Sequence, residues 1–312
     1  MTVLQAIIEG IIQGATEFLP VSSSGHLSLS QHFFGMQSSS LFFDVMLHLG
    51  TLIAVIAVYY KLVWRLLCEL VMLFRDLFTG RFKWSKMNTD RRLLLMLIIG
   101  LIPLFLLFLP VPGTGMKLKD FADKWASDGD IVIEGCSLIA TSILLTLGIF
   151  ASHKTQSRSK IPGGRPYIGK KEYTTGDALT VGLVQCVAAI FPGLSRSGST
   201  LSAGLMRGIN RKSALDYSFV IGIPSILAAG ALEIKDAAVQ PLTISMSAII
   251  AGVIVSALIG FFAIKLLRWL VATDHIGVFA VYTLVLGVVV VVIGIIEHHT
   301  GVNIVTGSKL NF

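Results

Sequence analysis

Two short stretches of this chain carry groups suited to handling a phosphate. The first, PVSSSGH from Pro20 to His26, offers Ser22, Ser23, Ser24, Gly25 and an imidazole, with Glu17 just upstream. The second, PGLSRSGST from Pro192 to Thr200, offers Ser195, Arg196, Ser197, Gly198, Ser199 and Thr200. Each stretch interrupts an apolar helix-like run. The half-helices that resume after Ser23 and Ser197 aim their first N–H groups at the break, where the positive dipole end favours an anion. Arg196 adds a permanent charge with bidentate geometry for phosphate. The expected phosphate-binding set is therefore Ser22, Ser24, Gly25, Ser195, Ser197, Gly198 and Thr200.

Phosphoryl transfer needs charge neutralisation, in-line positioning and a nucleophile with a proton acceptor. Ser23 lies three residues before His26, so on a helix starting near Ser23 the two share a face and the imidazole could activate the hydroxyl. The rival assignment makes His26 itself the nucleophile. Glu17 would orient the imidazole or hold a cation, and the expected catalytic set is Glu17, Ser23, His26 and Arg196. Plainer roles exist for the same residues. Ser23 is also a good N-cap, a role compatible with chemistry. Asp44 and Asp216 read as caps of long helices, and His48 is open to either role. The remaining histidines, His32 among them, read as solvated groups at span ends.

The elements that must position these groups are membrane helices. Of the 312 residues 54% are hydrophobic and 14% charged, with a mean hydropathy of +0.80, which excludes an ordinary water-soluble globule. A spanning helix needs about 20 largely apolar residues, and six segments qualify: 43–62, 92–110, 131–150, 214–232, 243–266 and 276–296. Residues 3–34 and 177–208 each form an apolar run, a Pro/Ser/Gly break and a shorter run, as expected of re-entrant helix hairpins. The fold class expected is all-α and polytopic, one integral membrane domain over 1–312.

A net charge of +7 would elsewhere suggest nucleic acid. Here the basic residues lie between apolar runs and read as orientation signals, with no nucleic-acid partner. Segment 61–92 holds eight Lys and Arg and segment 151–176 holds six, against three in 111–130. The rich segments are expected to be cytoplasmic loops and both termini to lie outside. The N-terminal run carries Glu9 and Glu17 and lacks a basic start, so it does not read as a cleaved signal. Cys68, Cys136 and Cys186 have neither zinc nor disulfide spacing and read as packing residues.

The chain also repeats itself. At an offset of 172 residues Ala6/Ala178, Gly10/Gly182, Gln13/Gln185, Pro20/Pro192, Ser23/Ser195, Asp44/Asp216 and Gly50/Gly222 coincide, with a one-residue insertion placed at Arg196. The copies span about 3–60 and about 175–232. Three crossings separate them, so the second is inverted, an arrangement whose broken helices frame a site near the midplane.

TEFLPVSSSGH and PGLSRSGST resemble the two signature motifs of the bacterial undecaprenyl-diphosphate phosphatase family, also called bacitracin resistance proteins, and the similarity covers most of the chain. The resemblance implies removal of the terminal phosphate from the C55 isoprenyl diphosphate carrier, regenerating the monophosphate for peptidoglycan synthesis. It implies catalytic roles for Glu17, Ser23 and His26, a diphosphate contact for Arg196, and dependence on magnesium or calcium. Members often have Glu where this chain has Gln13, so a cation held by Glu17 and Gln13 would find an amide oxygen in place of a second charge. The 151–176 segment is longer than usual. Partners implied are the polyprenyl diphosphate lipid and the membrane, with self-association left open. The expected location is the bacterial cytoplasmic membrane, with the site facing the periplasm or exterior.

A secondary transporter or lipid flippase is the alternative from another class, since inverted repeats with broken helices are also a transporter architecture. Type 2 phosphatidic acid phosphatases share the Ser-Gly-His tripeptide, but Ser195-Arg196 is not followed by their His and the motif order is wrong, which excludes them.

Overall fold

The computed structural model describes residues 1–34, 41–84, 87–127, 130–157, 169–237 and 244–310. Among them lie eleven α-helices: α1 (Val3–Thr16), α2 (Ser23–Phe34), α3 (Leu41–Phe78), α4 (Thr89–Leu101), α5 (Leu118–Ser127), α6 (Val132–Ser157), α7 (Thr175–Ile190), α8 (Arg196–Met206), α9 (Arg211–Ala237), α10 (Met246–Ala272) and α11 (Gly277–Thr300). Six are long and apolar enough to cross a bilayer: α3, α4 with the 3₁₀ turn that follows it, α6, α9, α10 and α11. The all-α polytopic class and the six spans expected from the sequence are those observed. α4 tightens into 3₁₀ over Ile102–Phe108 because Pro103 brings no N–H to the α-helical ladder.

Three expected loops are partly helical. The 61–92 segment begins with eighteen residues of α3, which bends at Tyr59 (φ −105°, ψ 18°) and runs on to Phe78. Beyond the bend Leu66 and Leu73 are buried while Trp64, Val71 and Phe78 are exposed, so the basic residues there ride on an amphipathic helix. Counting charges marks the side of the membrane and not the helix end. Arg91 of α4 secures this extension, donating to Glu69 at 2.8 Å and Asp76 at 2.6 Å. In the 111–130 segment α5 forms, and in the 151–176 segment α6 continues to Ser157, while 158–168 lies outside the described residues. At the turn after α10, Asp274 accepts from His153 and Arg211. Burial pushes its carboxyl up, but these two partners outweigh burial and hold it below the usual range. Its contribution to stability is therefore present above the ordinary Asp value and fades as pH falls through the lowered one.

One element order occurs twice: half-helix, break, half-helix, long helix, as α1–α2–α3 and α7–α8–α9. α1 lies along α10 on a seam of small residues. A Cβ on Gly10 would stand 2.7 Å from the carbonyl oxygen of Gly252, and one on Gly14 would stand 2.6 Å from that of Ser256. Close backbone approach through small residues is how helices associate where water supplies no driving force. Gly14→Ala is expected to cost about 1–3 kcal/mol, the usual cost of overpacking, because the obstructing atom is backbone and cannot rotate away. Thermal unfolding in detergent would read this as a lower melting temperature, with reduced activity if α1 carries the site.

Candidate active site

The two breaks meet. A Cβ on Gly25 would stand 3.0 Å from the Cα of Gly193, and one on Gly198 would stand 3.1 Å from the Cβ of Pro20, so each break leaves room for the other. Each second half-helix is capped by the serine just before it. Ser22 accepts from the Gly25 N–H at 3.2 Å, and Ser195 accepts from the Gly198 N–H at 3.1 Å. Ser22 Oγ also lies 3.3 Å from Ser24 Oγ, and Ser195 Oγ lies 3.3 Å from Ser197 Oγ. These matching bonds move the one-residue insertion upstream, between Pro192 and Ser195, so Ser22 is equivalent to Ser195 and Ser23 to Arg196. The cap is Ser22, held at φ +72°, and not Ser23, whose hydroxyl is left for another partner. α8 likewise starts at Arg196 and not after Ser197.

That partner is Glu17. Ser23 Oγ donates to Glu17 Oε2 at 2.7 Å, and Arg196 Nη2 donates to Glu17 Oε1 at 2.6 Å. The first residues of the two equivalent half-helices thus converge on one carboxylate, itself only 6% exposed. Gln13 Nε2 donates to Oε2 at 2.9 Å, and His48 Nε2 stands 3.7 Å from the same oxygen. The expected pairing of Ser23 with His26 is not formed. His26 Nδ1 bonds the Ser22 carbonyl at 2.7 Å, and Nε2 bonds the Tyr282 hydroxyl at 2.7 Å. A carbonyl only accepts, so Nδ1 carries the proton and Nε2 receives one from Tyr282. A carboxylate bonded to a serine hydroxyl is a proton acceptor in place, and a guanidinium beside it is an anion clamp.

The chain matches the family model described as bacitracin resistance protein BacA over residues 6–289. The chain belongs to this family. An undecaprenyl-diphosphatase of Alkaliphilus metalliredigens is 36% identical over 299 residues, 95% of this chain and 100% of the relative. One of Methanosphaera stadtmanae is 33% identical over 299 residues, 95% and 99% of the two chains. One of Treponema denticola is 36% identical over 288 residues, 92% and 96%.

In this bacitracin resistance family member the two motifs are placed differently. Ser24 is exposed, and Ser23 and His26 are partly exposed. Ser195, Ser197 and Thr200 are buried, at 1%, 4% and 0% exposure. Their hydroxyls have internal partners: Ser195 caps α8, Ser197 donates to the Leu19 carbonyl, and Thr200 bonds the Arg196 carbonyl and Ser218. The Ser195 N–H is held by Thr141. The second motif thus forms a frame around Arg196, and the first leaves the Ser23 and Ser24 side chains nearer the surface. Gly222 completes the frame. A Cβ there would fall on the Arg196 guanidinium, 3.0 Å from Cζ and 3.2 Å from Nη2. A side-chain end can swing away at little cost to the fold, so Gly222→Ala is expected to leave the melting temperature nearly unchanged. It should still lower turnover by about 10²-fold, the scale set by a displacement near 1 Å.

Among the described residues no three His, Cys, Asp or Glu side chains are grouped to enclose a metal ion. Glu17 with hydroxyl oxygens and substrate phosphate still suits a hard cation, which often takes one or two carboxylates from the protein and the rest from phosphate and water. Gln13 turns its amide nitrogen to Glu17, so its oxygen faces away from that carboxylate. Two neighbours of the site had little sequence signal: Tyr282 sits on an apolar run like any interfacial tyrosine, and His48 is marked only by its spacing from Asp44. His32, expected to be solvated, is buried against Glu297 at 2.8 Å because the α2 end packs under the C-terminal segment.

Proposed function

We propose that this protein is a membrane hydrolase that removes the terminal phosphate of undecaprenyl diphosphate, giving undecaprenyl phosphate and inorganic phosphate. Recycling of the lipid carrier for cell-wall synthesis and resistance to bacitracin follow from that reaction. The observation that carries the reading is the Glu17 carboxylate shared by Ser23 and Arg196, in a chain whose near-full-length relatives are named for this activity.

In the mechanism we favour, Arg196 and the amino ends of α2 and α8 hold the diphosphate in line with Ser23. Ser23 Oγ forms a bond to the terminal phosphorus while its proton passes to Glu17. The bond from that phosphorus to the bridging oxygen breaks, and the lipid monophosphate leaves with the electron pair. Water then attacks the phosphoserine phosphorus, the bond to Ser23 Oγ breaks as Glu17 returns its proton to that oxygen, and phosphate leaves carrying both hydrogens of the water, which restores the serine hydroxyl and the carboxylate. His26 is the weaker candidate for nucleophile because Tyr282 occupies Nε2; with Ser24 it lines the mouth. A divalent cation, magnesium or calcium, would be held by Glu17 and would neutralise charge on the phosphates. Both broken hairpins are read as re-entrant, in the bacterial cytoplasmic membrane, with the mouth facing the periplasm or cell exterior.

The test is phosphate release from undecaprenyl or farnesyl diphosphate by purified protein in detergent, with and without magnesium. Cation-dependent release is expected. A folded protein that releases no phosphate yet carries lipid phosphate across vesicles would replace this reading with a transporter.

A further inference from the structure

The face of α1 that ends at Glu17 carries Gln13 and Glu9 one and two turns earlier. Glu9 is 0% exposed, and neither of its carboxylate oxygens has a hydrogen-bond partner. Gln13 is equally buried and, having turned its nitrogen to Glu17, leaves its Oε1 without a donor. The reverse amide orientation would set two acceptors against each other, so the hydrogen-bond network itself selects this one. On α3, Phe43 packs in one cluster with Ala6 and His48 stands beside Glu17, so Asp44 lies along the same stretch as Glu9, and it is half-buried.

Among the described residues no base is placed to answer Glu9. α1 has no Lys, Arg or His, Arg196 is committed to Glu17, and His48 bonds the Asp44 backbone through Nδ1 while Nε2 faces Glu17. The α10 residues packed on α1, Gly252, Ser256 and Gly260, are uncharged. An unpaired buried carboxylate is costly. Three acceptor atoms without a donor cannot all be served by a proton, which supplies one hydrogen bond. A hard divalent cation, which gathers about 6–8 oxygens at about 2.3–2.6 Å in irregular geometry, can serve them together.

We propose that Glu9, Asp44 and the Gln13 side-chain oxygen bind a divalent cation of the calcium type, distinct from the catalytic one and one helical turn or more from Glu17. Water enters beside Asp44 and fills the remaining positions. The ion removes the repulsion between Glu9 and Asp44 and ties α1 to α3, so it sets how firmly the helix bearing Glu17 is held. The site stands apart from the phosphatase reading.

Equilibrium dialysis of the purified full chain in detergent with radiolabelled calcium tests it, beside Glu9→Gln, Asp44→Asn and Glu17→Gln. Glu9→Gln and Asp44→Asn should each lose one equivalent that Glu17→Gln retains. Calcium should raise the parent's melting temperature by a shift that Glu9→Gln lacks, and in calcium-free buffer Glu9→Gln should melt above the parent. Glu9→Gln is isosteric, and a monodisperse elution profile establishes that it is folded. Undiminished calcium binding in both Glu9→Gln and Asp44→Asn, or an unchanged calcium-dependent melting shift in Glu9→Gln, overturns the proposal. Phosphate release by the same parent preparation judges the phosphatase reading separately.

Discussion

Ser23→Ala is expected to lower phosphate release by on the order of 10⁴-fold or more while leaving lipid binding nearly intact, the pattern of a lost nucleophile with positioning preserved. The reasoning is local. Ser22 caps α2, so removing the Ser23 hydroxyl leaves the helix start bonded as before. What disappears is the one hydroxyl held on Glu17 at 2.7 Å. The fall should therefore be in kcat with little change in KM and none in the melting temperature. Acid quench of the parent with labelled substrate adds a qualitative readout, since phosphoserine survives acid and phosphohistidine does not. Label that is lost in acid, or retained activity in Ser23→Ala, would move the nucleophile to His26.

Arg196→Ala should be of similar severity, about 10³ to 10⁵-fold, the range for a guanidinium that neutralises charge on a transferring phosphoryl group. Two losses combine here. The anion clamp goes, and Glu17, buried at 6% exposure, loses its only close permanent positive charge among the described residues. Arg196→Lys restores charge without the planar fork, so it should recover part of the substrate affinity and little of the turnover. Equal kcat in the alanine and parent proteins would remove Arg196 from the reaction.

The sequence disclosed which residues to watch and that helices across a membrane must carry them. Hydropathy located the six spans, and the Pro/Ser/Gly breaks located the two interruptions. It missed quantities that depend on neighbours distant in the chain. Whether Ser22 or Ser23 caps α2 depends on a backbone bend at Ser22 that its residue type does not announce. Spacing put Ser23 and His26 on one helix face, but a shared face does not decide partners: Tyr282, 256 residues away, takes the imidazole. The repeat was legible, yet its register slipped by one at Arg196, because serines are interchangeable to the eye and only hydrogen bonds distinguish them. The length of α3 was hidden for a related reason. Its last turns carry charges whose partners, Asn88 and Arg91, belong to the next helix.

The seam between α1 and α10 has a consequence for how the protein is made. Gly10 and Gly14 rest on Gly252 and Ser256, so α1 docks on a helix completed about 240 residues later, roughly 10–50 s at ordinary rates of synthesis. During that interval Glu9, Gln13 and Glu17 have no assembled interior to enter. A helix made well before its partner is seated late, and the carboxylate on which the two breaks converge takes its place only as the membrane domain closes.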